Sequence, residues 1–409
     1  MKITSIVRNS LFLTIFLTLG GYHAILMVLS AGQSFGISRY YTIPVRMLII
    51  FCLVVLYKYR GHLRKPTLTM AAFYIFSLCY YTRILIAYLD GSNVYMSPIL
   101  FMIYYTSFVF IPLFIVANLR LKENDYTLIF WASLLGCALV AVLTIIFYHD
   151  YLGESGRISQ LVKGGDSSDY ISPLVLSYVS AIGLALGTFF LADNKIKGKL
   201  KLTVVIAIIV SVIPFYLGAS RGSLVALLLP IMGYIFIRKF GREKIYNLIW
   251  LILLMTLLYF ASAYLGDTIW KRVGAIGSDI DSNNASAIRL LMWKYDLSTY
   301  ADTPIFGNSL QSSYVNFYPH NIIIESLLAT GLLGTIPLVV FLSAVFIRSF
   351  LIIRYHPANT WVNILFYIGF IQNMFSGSIA SASFLALGSA LIIGYPLGRN
   401  GSCERVKFG

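Results

Sequence analysis

Apolar residues arrive along this chain in long runs, separated by short polar stretches that are repeatedly rich in lysine and arginine. A run of about 20 apolar residues is the length that crosses a bilayer as a helix. Such runs fall near 10–31, 42–57, 68–89, 94–118, 126–148, 171–192, 202–219, 223–237, 245–264, 321–347, 361–379 and 382–397. The pattern predicts an all-α integral membrane protein of about twelve transmembrane helices, two of them short. Together they form a single polytopic membrane domain over residues 1–409. The first run follows MKITSIVRNS with no small-residue cleavage site, so it is expected to be a retained helix.

The composition agrees, and the placement of charge sets an orientation. The chain is 58% hydrophobic and only 11% charged, against roughly 25% charged in soluble domains. With the N-terminus placed in the cytoplasm, the inside segments collect 21 of the 31 basic residues and the outside segments eight. Arg46 and Arg83 lie within helices. Every inside loop is basic, as the positive-inside rule requires, so the net charge of +15 is mostly a topology signal and nucleic-acid binding is set aside. Cys52, Cys79 and Cys137 lie in apolar runs and Cys403 in the C-terminal tail, which leaves no disulfide framework and no metal spacing. Two outside loops exceed turns, 149–170 and 266–319. The second carries Lys271, Arg272, Arg289 and Lys294 against Asp267, Asp279, Asp281, Asp296 and Asp302, so no bulk field explains it.

Three constellations can carry chemistry. Gly218-Ala219-Ser220-Arg221-Gly222-Ser223 joins two helices at the expected outer surface. The free N–H groups of the following helix, with the Arg221 fork, suit an anion there; a tight turn with a lipid-facing arginine is the alternative. Tyr318-Pro319-His320-Asn321 opens the next inward helix. The helix dipole and a nearby arginine would keep His320 neutral, as a general base requires. Asn321 fits as the N-cap. Glu325, an acid inside an apolar run, could orient His320 or pair with an arginine; a capping histidine above a structurally paired acid is the alternative.

The third constellation is ASAIRLLMWKYDL, which reads as an amphipathic helix on the membrane surface. Arg289 and Trp293 share one face of it, where a sugar or diphosphate could meet both; the alternative is an arginine bound to lipid phosphate. Arg157 is a fourth outside cation with less support. Asp279-Ile280-Asp281, with Asn283, resembles a metal-binding DxD but lacks the Gly and Glu of a calcium loop. Arg46 and Arg83 could touch substrate, snorkel or pair with a neighbouring helix, and His23 reads as a satisfied interior histidine.

Taken together, Ser220-Arg221-Gly222, Arg289 with Trp293, Thr303-Pro304-Ile305-Phe306-Gly307, His320-Asn321, Glu325, Gly331 and Gly334 resemble the O-antigen ligase and polymerase family of bacterial polysaccharide enzymes. The resemblance runs from Gly218 to Gly334, and the chain departs from it at Asn308-Ser309, where a further glycine is usual. It implies a metal-independent glycosyltransferase of the inner membrane, with no cofactor. Donor and acceptor would carry glycan on undecaprenyl diphosphate, at a periplasmic site formed around the large loop. Arg221 and Arg289 would then hold the diphosphate and His320 would act on the acceptor hydroxyl. Ser220, Gly222, Arg157, Trp293, Asn321 and Glu325 would line the substrate. A membrane-embedded chain-length regulator is a family expectation. The motifs do not separate a polymerase, which extends lipid-linked chains, from a ligase, which transfers them to lipid A-core. The modest loop and tyrosine-rich chain favour the polymerase. A lipid-linked glycan transporter would place its chemistry at the midplane and not at one face.

Overall fold

A computed structural model of the chain describes residues 2–30, 37–63, 67–92, 94–152, 172–192, 198–237, 242–265, 270–271, 274 and 285–397. Each of the twelve apolar runs contains a helix among the described residues. In chain order the elements are α1 (Lys2–Phe16 and Tyr22–Ser30, joined by a π turn at Leu17–Gly21) and α2 (Ile37–Arg60). Then come α3 (Leu68–Leu89) and α4 (Pro98–Tyr104 and Ile111–Ala117, joined by a π turn at Tyr105–Phe110). Next are α5 (Glu123–Tyr148), α6 (Pro173–Ala192), α7 (Lys199–Gly218), α8 (Arg221–Ile237) and α9 (Arg242–Leu265). The polar loop contributes α10 (Ala285–Asp302), followed by α11 (Ile322–Tyr355), α12 (Ile364–Phe375) and α13 (Ser383–Gly394).

Among the described residues, nine helices are long and apolar enough to cross a membrane. The expectation of about twelve spans is therefore met only in part. Helix α8 has 17 residues, while α12 and α13 have 12 each, or roughly 18 Å for the last two at 1.5 Å per residue. The polar stretch Ser376-Gly377-Ser378 separates these short helices, which pack on each other. Irregular backbone at such depth is tolerable only where protein covers it, and Ser376 and Ser378 are buried. Helix α6 is central, with 83% of its apolar window buried, against 12% for the peripheral α9. It packs against α5, α7, α8 and α12. At the basic end of the bundle, Arg60 pairs with Asp125, tying the end of α2 to the start of α5. Arg348 donates to the Ile392 and Tyr395 carbonyls that end α13.

Helix α11 is two helices in sequence. Gly331 has φ 58° and ψ −157°, outside the helical region. The Pro304–Gly307 loop crosses the break there: Leu332 N donates to Pro304 O at 2.8 Å and Leu333 N to Ile305 O at 3.1 Å. Asn308 N and Ser309 N both donate to Leu328 O, at 2.8 and 3.1 Å. The carbonyl end of the first half-helix is then covered by Arg83, whose Nε donates to Ala329 O at 2.9 Å. The same guanidinium donates to the Phe306 and Gly307 carbonyls. A cation at a helix C-terminus is favourable, and each bond to a charged donor contributes about 1.5–3 kcal/mol. Arg83 is thus a structural pin joining α3, the loop and α11. Arg83→Met is expected to destabilise the protein by about 3 kcal/mol, read as an earlier denaturant-unfolding midpoint in detergent.

Candidate active site

The site lies where α8, α10 and α11 begin and where α12 ends. Helix α7 terminates at Ala219, whose left-handed φ of 41° turns the chain sharply into α8. Ser220 is buried, and its carbonyl accepts from the Ser223 hydroxyl at 2.8 Å, closing the first turn of α8. Arg221 is the first helical residue. Gly222 is needed for close approach: a Cβ there would lie 2.4 Å from the hydroxyl of Tyr178, a fully buried residue of α6. Tyr178 in turn lies within electrostatic reach of Arg289. Tyr178 thus touches the α8 turn at Gly222 and lies within electrostatic reach of α10 at Arg289.

Helix α10 shows one face to this region. Asp296 and Met292 are buried, with Arg289 and Trp293 partly so, the i, i+3/i+4, i+7 spacing of a single helical face. Burial lowers the Arg289 pKa from its usual value, yet neither ion pair among the described residues involves it. The Trp293 indole N–H donates to Pro319 O at 2.7 Å, so its polar edge holds the chain before His320 and is not open to a sugar. Asp296 accepts from the Ser312 hydroxyl at 2.6 Å, while Ser312 N donates to Phe317 O at 2.8 Å. Burial raises the Asp296 carboxyl to about 6. Together these contacts fix the segment 312–319 on α10. Trp293→Phe keeps an aromatic ring but frees Pro319; a lost hydrogen bond of about 1 kcal/mol predicts roughly fivefold slower turnover with little change in KM, read on purified protein.

His320 occupies the left-handed region at φ 60°, a conformation a non-glycine residue adopts only when its surroundings impose it. The imposing contacts are Trp293 on one side and the Asn321 cap on the other. Asn321 Oδ1 accepts from Ile323 N and Ile324 N at 3.0 and 3.2 Å. The imidazole packs edge-on against Tyr318, with ring centroids 4.5 Å apart. Nδ1 lies 3.4 Å from Ser376 O. A carbonyl can only accept, so Nδ1 carries the hydrogen and Nε2 keeps its lone pair. Burial first, then the Arg289 charge, lower the His320 pKa from 6.5 to about 4. The ring is therefore a neutral base at physiological pH. Tyr318 also donates to Ser376 O, and burial raises its pKa to about 12.

Glu325 contacts neither His320 nor an arginine, the two roles its position in the sequence suggested. It is 1% exposed and accepts from Ser378 Oγ at 2.8 Å and from Ile379 N at 3.0 Å. Its carboxyl anchors the turn after Ser376, the residue on which His320 leans, so its effect on the imidazole passes through that turn. Ser376, Ser378 and Tyr178 had no place in the sequence reading, which absorbed Ser376-Gly377-Ser378 into an apolar run. Three polar or small residues breaking that run were the signal. Tyr95 was also missed: its ring sits 4.7 Å from Phe317 and 5.9 Å from Tyr318.

Arg157 lies outside the described residues, as do Asp279, Ile280, Asp281 and Asn283. His23, expected to be satisfied, makes no hydrogen bond among the described residues and packs edge-on against Tyr22. No curated protein matches the chain. Residues 203–339, about a third of the chain, match the O-antigen ligase family model, and that segment contains Ser220, Arg221, Gly222, Arg289, Trp293, His320, Asn321 and Glu325. Over these residues the chain is similar to the O-antigen ligase family.

Proposed function

We propose that this protein is a surface-polysaccharide polymerase of the bacterial inner membrane. It joins undecaprenyl-diphosphate-linked repeat units at the periplasmic face as a metal-independent glycosyltransferase. The observation that carries this reading is the pairing of a neutral His320, its Nε2 open, with a half-buried Arg289 that no carboxylate neutralises among the described residues. In the reaction an acceptor hydroxyl attacks the donor sugar's anomeric carbon. The bond from that carbon to the diphosphate oxygen breaks, and the electron pair leaves with the diphosphate. His320 Nε2 takes the hydroxyl proton. Arg289 and Arg221, with the first N–H groups of α8 and Arg157 of the shorter loop, hold the departing charge. A diphosphate leaves readily, so positioning and charge stabilisation supply most of the rate.

The family model carries the name of the ligase, which makes transfer to lipid A-core the second reading. Purified protein given lipid-linked repeat units alone separates the two. A polymerase produces a ladder of longer lipid-linked chains. Absence of any ladder, with glycan appearing on lipid A-core once that acceptor is added, would make the protein a ligase. A membrane regulator of chain length, if one is needed, would alter the ladder's distribution and not its existence.

A further inference from the structure

Arg46 in α2 belongs to a second cluster, formed with Tyr22, His23, Tyr41 and Phe108, in which no carboxylate faces the guanidinium among the described residues. Its guanidinium lies 3.4 Å from the centroid of Phe108 and 5.6 Å from that of Tyr22. No hydrogen bond or ion pair holds it among the described residues, and its buried Nε has no partner. The buried hydroxyl of Tyr41 is likewise without a partner. Tyr41 stacks on Tyr22 at 5.5 Å, while Tyr22 shares a 2.6 Å hydrogen bond with Thr42. His23 lies beside Tyr22 and within electrostatic reach of Arg46.

A buried guanidinium with no counter-ion is expensive in an apolar bundle, and native structures leave few buried donors unmatched. Guanidinium, phenol and imidazole gathered around Tyr22, with no carboxylate among the described residues, suit an anion with several acceptor oxygens, which a phosphate supplies. The two π turns of the described chain flank the cluster. Leu17–Gly21 leads directly into Tyr22 and His23, and Tyr105–Phe110 contains Phe108. Such turns re-aim side chains and recur at functional sites. Arg46 stands five residues into its span, which starts at Tyr41, or about 8 Å from the end at 1.5 Å per residue. A phosphate at the headgroup level is within reach.

An aromatic path leads from this cluster to His320. Phe108 packs on Tyr104 at 5.3 Å. Tyr104 lies within electrostatic reach of both Arg46 and Tyr95, and Tyr95 contacts Tyr318, which contacts His320. A polymerase handles two lipid-linked diphosphates at once, and the Arg221–Arg289 region accounts for one. We propose that Arg46, with Tyr41 and His23, binds a second lipid-borne phosphate, that of the acceptor; the assignment to the acceptor rests on the polymerase reading.

The test counts farnesyl diphosphate molecules bound per protein by native mass spectrometry, in nanodiscs of phosphatidylcholine. Two are expected for wild type, one for Arg46→Gln and one for Arg289→Gln. Arg46→Lys, which keeps the charge without the fork, is expected to retain the second molecule about tenfold more weakly. A wild-type count of one, lost in Arg289→Gln, overturns the Arg46 site and leaves the proposed function standing. A count of two with one lost in Arg46→Gln and none in Arg289→Gln upholds the Arg46 site and overturns the diphosphate role of Arg289. The wild-type count does not depend on any variant folding. Repeating it with phosphatidylglycerol in the nanodisc distinguishes the sources of phosphate. Persistence of the second molecule supports the acceptor, whereas its displacement assigns the site to bulk lipid headgroups and overturns the acceptor.

Discussion

Replacing His320 with Ala is expected to lower glycosyl transfer by about 10²–10⁴-fold, the usual contribution of a positioned general base, while the protein folds and binds donor normally. In the native host the surface polysaccharide should collapse from a ladder to core bearing a single repeat. The same residue sets the pH dependence. A histidine whose pKa is lowered to about 4 stays neutral as pH falls through 6.5, so kcat/KM should hold across that range and fall only near pH 4. An acid limb near 6.5 would mean that the buried, Arg289-facing position of the ring is not what the free enzyme presents. An unchanged ladder in His320→Ala, with normal protein level, would remove His320 from the mechanism altogether.

Gly331→Ala is expected to cost more than about 3 kcal/mol, through two effects that add. At φ 58° and ψ −157° the backbone occupies a region open almost solely to glycine. A Cβ at this position would also lie 2.3 Å from Ile305 O, a backbone atom of the crossing loop that cannot swing aside. The facing Gly307, at φ 64°, meets the same constraint from the other side, with Leu328 O 2.3 Å from its Cβ position. The variant should fail to accumulate, or unfold at markedly lower denaturant in detergent. Gly233→Ala is the control: nothing lies within 4 Å of its Cβ position in the middle of α8, so it should be neutral or slightly stabilising. Equal behaviour of the two variants would refute the crossing of loop and helix.

The loop Thr303–Gly307 was legible as a motif but not as a device. Its proline, its glycine and the distant Gly331 read as separate signals, because what connects them is a set of backbone hydrogen bonds between segments far apart in sequence. Arg83 shows the same limit. As an arginine in an apolar run it admitted a substrate contact, a snorkel or a helix pairing, and the geometry makes it the cap of a broken helix. Asn308-Ser309, a departure from the family pattern, still supplies two amide donors to Leu328 O. That contact uses the backbone, so the missing glycine does not disturb it.

Hydropathy, the spacing of basic residues and local capping chemistry determined the helical class, the order of the apolar helices, the face shared by Arg289 and Trp293, and the Asn321 cap. These are properties of single segments, fixed by periodicity and by groups within a few residues of each other. Tertiary structure alone decided that Trp293 spends its N–H on Pro319, and that Glu325 grips the Ser378–Ile379 turn instead of His320. It also decided that Ser376 orients the imidazole, and that Arg46 Nε and the Tyr41 hydroxyl are buried without a partner among the described residues. Each of these depends on which distant segment fills the space beside a polar group, and in a bundle that is set by the packing of all the helices together.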